Sequence, residues 1–562
     1  MTDPDDVSEP TQTPVVESAT PLGWLYTSDH KRVGRLFIGA SLVAIVAGLV
    51  TDLLVRVDLT DPDDFVVLDA DTFGQTFTLA RDLTVYLGIV PLFLGIAMYI
   101  VPLQVGAASL AFPRAALASF WGWVLASAVL LSAYGINGGP YGGEGEAVDL
   151  YLVALAGVIA ALLLGAVCVG TTVLNLRAPG LFVDQLPPFS WASLVTAVML
   201  LLTLPVVLGQ LALLYIDHRY GQTYLGGNFG IYAQLEWVFR TPQLYVFAVP
   251  ALGAIGEVLP VWGRNRQVHP TAVAVAIAAF GFFGFGAFVQ LANEPETLDD
   301  YEGVVLAGFQ VGAAVAVIAL LGLWGTTMVR GRTLPRLDSA LLCSLAAGLV
   351  LVIAVLQGAI GALIDWTDAL DRDVPLRSTT FTTGTLTLVV GAILLGAFAA
   401  LLYWAPKLWG RRLLEPLGLL GLLAALGGAL LGWLGPTVAG AFQDQPEFVF
   451  DDPNATSMYG AVVVDVGNAD AFSAIGAAGV ALLALGAALM VLNLVVSVVF
   501  RAGADADADP WEAQTAEWQL PSPPEPGPTE VLPDLTTGTP LLPDETATDG
   551  EEPAALPAEV NA

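Results

Sequence analysis

Residues 237–245 read W-V-F-R-T-P-Q-L-Y, and residues 281–291 read G-F-F-G-F-G-A-F-V-Q-L. The stretch between them is apolar except for a short polar loop that contains Arg264 and Arg266. A helix needs about 20 apolar residues to cross a bilayer core of roughly 30 Å. The stretch therefore predicts two membrane-spanning helices, at 235–262 and 270–292.

The same pattern recurs along the chain, whose 562 residues are 56% hydrophobic and only 13% charged. A soluble globule of this composition would expose too much apolar surface. We predict an all-α, polytopic membrane protein, a bundle of twelve transmembrane helices. The predicted spans are 33–55, 82–103, 117–135, 150–175, 189–215, 235–262, 270–292, 303–328, 337–364, 379–405, 413–434 and 470–500.

The distribution of basic residues predicts the orientation in the membrane. With twelve spans, fourteen of the 20 Lys and Arg residues fall on the side that carries both termini. Basic residues are enriched in cytoplasmic loops. We therefore expect a multi-pass protein of the cell membrane, in contact with membrane lipids, with both termini in the cytoplasm.

The chain is strongly acidic, with 52 Asp and Glu residues and a net charge of -32. This charge argues against nucleic-acid binding. Only Lys31 and Lys407 are lysines, and an acidic, lysine-poor surface is typical of proteins that stay hydrated in high salt, so we expect a halophilic, archaeal source. Residues 1–20 and 503–562 are acidic and Pro-rich tails that we expect to be largely disordered, which leaves 21–502 as the membrane domain.

Several short motifs occur in a fixed order on these spans. They are V-P-L-Q-V-G-A at 101–107, N-L-R-A-P-G at 175–180, Y-W-A-P-K at 403–407, and D-P-W at 509–511 followed by E-W at 517–518. Together with residues 237–291, they resemble subunit I of the haem-copper oxidases, the cytochrome c oxidase family. The resemblance covers about residues 28–526. It implies a single membrane domain that works beside other respiratory-complex subunits.

Members of that family use six histidines to bind two haems and copper. This chain has three histidines in total, His30, His218 and His269. All three fall in predicted loops or at the edges of spans, where we expect them to be exposed. Three peripheral histidines are too few to supply six ligands inside the bilayer.

The family motifs can be carried over to this chain position by position. The helix-two haem ligand falls on Ala80 and the copper ligands fall on Thr241, Gln290 and Leu291. The helix-ten ligands fall on Gly384 and Leu386, or one residue later on Thr385 and Thr387. The resemblance thus predicts a degenerate member that has neither haem nor copper and no catalytic residue.

Polar residues within or near the spans are candidates for a residual site. The candidate site consists of Arg240, Gln243, Tyr245 and Gln290. Glu257 lies near the end of its span, where we expect it to reach water. Arg81 and Asp82 begin the second predicted span and are expected to be interfacial charges.

Three functions remain open on this sequence. The first is a non-catalytic, structural or assembly partner in a respiratory electron-transport complex. The second is a functional terminal oxidase whose haem is held by unusual ligands such as Met98 or Tyr86. The third is a transporter or ion channel on the same scaffold.

Overall fold

The fold was analysed in a computed structural model of the chain. The structure describes residues 26–60, 67–225, 230–288, 300–331, 336–367, 369–370, 374–443, 469–529 and 537–542, with 23, 445 and 535 as single residues. Within these ranges the regular structure is helical, apart from one isolated β-bridge between Arg411 and Asp505. The prediction of an all-α polytopic membrane protein is confirmed.

Fourteen α-helices follow one another along the described chain. They are α1 (His30–Asp58), α2 (Ala70–Thr84), α3 (Val90–Gln104), α4 (Pro113–Gly135), α5 (Gly145–Asn175), α6 (Pro188–Tyr220), α7 (Ile231–Leu235), α8 (Val249–Trp262), α9 (Pro270–Phe283), α10 (Asp300–Val329), α11 (Ser339–Thr367), α12 (Thr380–Trp409), α13 (Glu415–Gln443) and α14 (Ala469–Leu494). A π-helical turn, Val85–Ile89, joins α2 to α3, and a 3-10 helix, Gln243–Ala248, leads into α8.

Eleven helices of the described chain are long and apolar enough to cross a membrane. They match eleven of the twelve predicted spans. The remaining predicted span, 270–292, corresponds to α9, which has 14 residues, and residues 289–299 after it lie outside the described part of the chain. Gln290 and Leu291 fall in that undescribed stretch.

Three of the spans form the inside of the bundle. The stretches Thr72–Gln104, Gln243–Trp262 and Thr380–Trp409 are buried along almost their whole apolar length. The other spans bury one face and leave apolar side chains exposed on the other, as a lipid-facing helix does. An inner helix must be apolar on all sides, so the sequence alone does not distinguish inner from outer spans. The first of these inner spans carries Ala80, the third carries Gly384 and Leu386, and Thr241 lies two residues before the second.

Small residues allow the outer helices to approach one another closely. A Cβ atom at Gly479 of α14 would lie 1.9 Å from the backbone nitrogen of Gly432 in α13. Any larger residue at Gly479 would therefore separate the two helices. Close approach of this kind replaces the hydrophobic driving force that helix pairs lack in lipid. Helix α14 also packs against α1, so the last span meets the first.

The two described ends of the chain lie on the same side of the bundle. The Lys31 ammonium, at the start of α1, donates a hydrogen bond to the carbonyl oxygen of Gly527, which follows α14. We call this side, where α1 begins and α14 ends, the terminal face. Residues 503–529 pack against it, with Trp518 buried, whereas the sequence predicts a disordered tail from residue 503 onward. Residues 1–20 and 543–562 lie outside the described ranges.

Candidate functional site

Two of the family's haem-ligand positions face the same small cavity. Ala80 of α2 and Leu386 of α12 both line a cavity of about 30 Å³, which has room for about one water molecule and is far smaller than a haem. Neither an alanine methyl nor a leucine side chain has an atom that can donate electrons to iron. The residues at these two positions therefore do not fit haem ligation as the family performs it.

Charged side chains line the same cavity. Arg56, which is buried, lies with its Nε 3.4 Å from the Asp52 carboxylate, and its Nη2 lies 3.5 Å from the Thr387 hydroxyl. The Arg81 guanidinium stacks over the Phe77 ring, 3.5 Å from the ring centroid. A buried charge is stable only when it is paired or hydrogen-bonded. The prediction that Arg81 is interfacial is wrong, because its side chain is turned inward onto an aromatic ring.

Asp82, the neighbour of Arg81, is also buried rather than interfacial. Its Oδ2 accepts hydrogen bonds from the Tyr134 hydroxyl at 2.8 Å and from the Tyr151 hydroxyl at 3.2 Å. These two tyrosines come from α4 and α5. One carboxyl group from an inner helix thus accepts from both tyrosine hydroxyls, a cluster that no sequence motif indicates.

Helix α12 leaves no space for a ligand at Gly384. A Cβ atom there would lie 2.3 Å from the Thr437 hydroxyl oxygen of α13. In the alternative register, Thr387 lines the cavity of Ala80 and the Thr385 hydroxyl donates to the carbonyl oxygen of Phe381 at 3.2 Å. Neither register presents a histidine.

The first copper position holds a neutral polar cluster. Gln310 Nε2, from α10, donates a hydrogen bond to Thr241 Oγ1 at 2.7 Å. The Tyr245 hydroxyl lies 3.5 Å from the carbonyl oxygen of Ala354 in α11. The absence of a side chain at Gly358 makes room for this hydroxyl, since a Cβ atom there would lie 2.4 Å from it. The sequence analysis missed Gln310, although an uncharged polar residue inside an apolar span was the available signal.

The remaining candidates of the residual polar site have different hydrogen-bond partners. Gln243 is fully buried, and its Oε1 accepts a hydrogen bond from the backbone N–H of Gly286 at 2.9 Å. Arg240 instead pairs with the Glu236 carboxylate at 3.2 Å and donates to the carbonyl oxygen of Arg377 at 2.7 Å. Gln290 lies outside the described residues. Tyr245 therefore shares its site with Thr241 and Gln310 rather than with Arg240.

The three histidines lie away from these positions. His218 contacts the Asp149 carboxylate through Nδ1 at 2.8 Å, and His269 caps α9 with a positive φ. The expectation that His30 is exposed is wrong, because its ring is buried at the start of α1, where it contacts the interior instead of water. The described ligand positions thus lack imidazole, and the donor set there does not fit the six-histidine pattern.

Glu257 does not reach water. It is buried, and its Oε1 accepts hydrogen bonds from Gln104 Nε2 and from the backbone N–H of Phe189, each at 3.1 Å. The expectation of a solvated glutamate is wrong because residues after α14 cover this end of α8. Glu257 is therefore a buried carboxyl group near the terminal face, which the sequence alone does not reveal.

The comparisons with known proteins agree on one family. The family model described as "Cytochrome C and Quinol oxidase polypeptide I" matches residues 32–479. A cytochrome c oxidase subunit 1 from Alkalihalophilus pseudofirmus is 28% identical over 523 residues, which cover 89% of this chain and 79% of that protein. The subunit 1 from Bacillus subtilis is 26% identical over 520 residues, with the same coverage. That from Thermostichus vulcanus is 27% identical over 561 residues, or 94% and 95% of the two chains.

These relatives correct one prediction. The sequence analysis predicted that the chain has no haem and no copper, whereas the matched relatives are subunit 1 of cytochrome c oxidases, a family that carries both. The prediction rested on a count of imidazole ligands. Haem iron also accepts thioether, thiolate and phenolate ligands, so a missing histidine does not decide the cofactor content.

Proposed function

Because the chain belongs to the cytochrome c and quinol oxidase polypeptide I family, we propose that it is a membrane subunit of a respiratory electron-transport complex. Its role there is structural, in holding partner subunits together, rather than the reduction of oxygen at the family's copper position. The motifs that resemble the family lie largely in loops and at span ends, where partner subunits are met.

The polar cluster at Thr241 carries this proposal. Oxygen reduction in the family uses three copper-binding histidines, and the first of these positions bears a threonine hydroxyl that accepts from Gln310 at 2.7 Å. The hydrogen bond between these two side chains satisfies groups that would otherwise be left unpaired. The pair is thus suited to joining the second inner span to α10.

A second function, a terminal oxidase with atypical ligands, is favoured by similarity over nearly the whole chain. Its candidate ligands are not at the cavity of Ala80 and Leu386. The Tyr86 ring packs on Phe239, with the two ring centroids 5.6 Å apart, and the Met98 methyl group packs next to Gly165 of α5.

Purification of the tagged full chain from its native membranes tests the structural role. We expect respiratory subunits to be recovered with it, and recovery of none would overturn the proposal. The Tyr245→Phe variant then separates the two functions, since the resemblance places Tyr245 where the family has a tyrosine cross-linked to a histidine of its copper site. Oxygen uptake by the purified complex should be unchanged if the role is structural. Loss of uptake in this variant would instead identify the chain as the oxygen-reducing subunit.

The orientation is the second part of the proposal. We infer that the terminal face is cytoplasmic, because most Lys and Arg residues fall on that side of the spans. A fluorescent reporter fused after residue 529 should fold and fluoresce if this end is in the cytoplasm. A reporter that is accessible only from outside intact cells would contradict the orientation and leave the structural role untouched.

A further inference from the structure

Both lysines of the chain hold the same stretch of backbone. We call residues 505–529 the latch segment. Lys31 donates to the carbonyl oxygen of Gly527. Lys407, at the end of α12, donates to the carbonyl oxygens of Ala508 at 3.0 Å and of Leu520. Lys31 and Lys407 are both buried. Both lysines of the protein are therefore bound to the latch segment.

The latch segment inserts a glutamate into the bundle. Glu517 is fully buried. Its Oε1 accepts from Gln104 Nε2 at 3.1 Å and from Trp404 Nε1 at 3.2 Å. The same Gln104 nitrogen donates to Glu257 at 3.1 Å. One amide group therefore bridges a carboxyl group of the bundle and a carboxyl group of the latch segment.

Two carboxyl groups that share one donor away from water do not both ionise readily. Burial away from water raises the pKa of Glu517. The other titratable or charged groups around this pair are Lys407 and Tyr403 of α12 and Asp509 of the latch segment. One carboxylate can be balanced by the Lys407 ammonium, and the second carboxyl group then needs a proton.

We propose that the latch segment is a proton-dependent closure of the terminal face, held shut by one proton shared between Glu257 and Glu517. Loss of that proton leaves Glu257 and Glu517 both ionised, next to the Asp509 carboxylate and with only the Lys407 ammonium to balance them. The latch segment then leaves the bundle and carries Glu517 into water, where its charge is hydrated. The release uncovers the ends of α3, α8 and α12, on which Gln104, Glu257 and Trp404 lie.

The direction of the pH dependence follows from the proton count. The closed state binds one more proton than the released state, because a glutamate in water is ionised at neutral pH. Closure is therefore fully present at low pH. It weakens as the pH rises through the pKa of the closed pair. This dependence is opposite to that of an ordinary surface salt bridge involving a carboxylate, which weakens as the pH falls.

A buried cysteine in the latch segment reports on release. Ala516 is buried and Ala504, before the segment, is exposed, so Ala516→Cys is the reporter and Ala504→Cys the matched control. The native residues Cys168 and Cys343 are both buried, and the parent chain provides the background. The full chain in lipid nanodiscs is treated with a maleimide between about pH 6 and about pH 10, and the ratio of the two labelling rates removes the intrinsic pH dependence of thiols.

We expect this ratio to rise with pH, by up to about tenfold per unit as one proton is lost. Adding Glu517→Gln should abolish the rise and keep the segment closed. The glutamine amide is uncharged, like a protonated carboxyl group, and does not ionise as the pH rises. Glu257→Gln should do the same and covers the case in which the first variant does not fold. A ratio that stays flat in the parent background, or rises equally in both glutamine variants, would overturn the proposal.

Discussion

The side-chain amide of Gln310 donates to the hydroxyl of Thr241 across 2.7 Å. The two residues are 69 positions apart in sequence, and Thr241 is the residue onto which the resemblance carries the family's first copper ligand. This polar contact joins the residue before the second inner span to an outer span, α10. Several consequences can be measured.

The Gln310–Thr241 hydrogen bond should be detectable as a coupling energy. In a cycle of Gln310→Leu, Thr241→Val and the double variant, we expect a coupling of about 0.6 kcal/mol, the average for hydrogen bonds between membrane helices. Equilibrium unfolding in mixed micelles measures it. Thr196→Val is the control for Thr241→Val, since its hydroxyl bonds only to its own helix. Additive effects would show that the contact contributes nothing.

Gly358→Ala should lower stability because the added methyl group meets the Tyr245 hydroxyl. The Cβ atom would lie 2.4 Å from that oxygen, and overpacking of this kind costs about 1–3 kcal/mol. Tyr245→Phe in the same chain removes the oxygen and should restore part of the loss, as measured by thermal unfolding. Gly308→Ala, with open space around its Cβ, should be harmless. A double variant no more stable than Gly358→Ala alone would contradict this account.

Asp82 should tolerate replacement by asparagine but not by alanine. Asparagine keeps an oxygen that can accept from Tyr134 and Tyr151. Alanine removes this acceptor, which leaves the Tyr134 hydroxyl with its hydrogen bond to Thr78 and the Tyr151 hydroxyl without the Asp82 partner. An unpaired buried hydroxyl costs about 1–3 kcal/mol. Unfolding midpoints of Asp82→Asn and Asp82→Ala compare the two. Equal midpoints would indicate that water replaces the carboxyl group.

Lys407→Met should loosen the latch segment at neutral pH, where Lys407 is an ammonium group. The ammonium group donates to the carbonyl oxygens of Ala508 and Leu520, and hydrogen bonds to charged groups contribute about 1.5–3 kcal/mol. We expect labelling of Ala516→Cys to be faster by at least about tenfold, the equivalent of 1.4 kcal/mol. The control is Arg264→Gln, which breaks only an exposed pair with Glu512, worth about 0–1 kcal/mol. Equal labelling in the two variants would rule out a special role of Lys407.

The spans could be predicted from the sequence because the bilayer demands long apolar helices. Their arrangement could not, since an inner span and a lipid-facing span are both apolar. For the same reason Arg81 and Asp82 were placed at the interface. Their position near a span end is the same whether the side chains turn toward water or inward to Phe77 and Tyr134.

The polar contacts escaped prediction for a different reason. Gln310 belongs to none of the family's ligand motifs. The sequence shows Thr241 only as a replaced copper ligand and does not indicate its hydrogen bond with Gln310. The latch segment has the acidic, Pro-rich composition of a disordered tail, and nothing local shows that Glu517 and Trp518 are buried. Such residues become recognisable only when the bundle brings distant partners to them.

The burial of Lys31 and Lys407 has a practical consequence for chemical proteomics. Amine-reactive cross-linkers act mainly on exposed lysine side chains, and the folded protein offers neither of its two lysines to them. It would therefore be under-represented in any interaction map built with such reagents. Carboxylate-directed cross-linkers suit it far better, and a lysine that becomes labelled marks a molecule whose terminal face has opened.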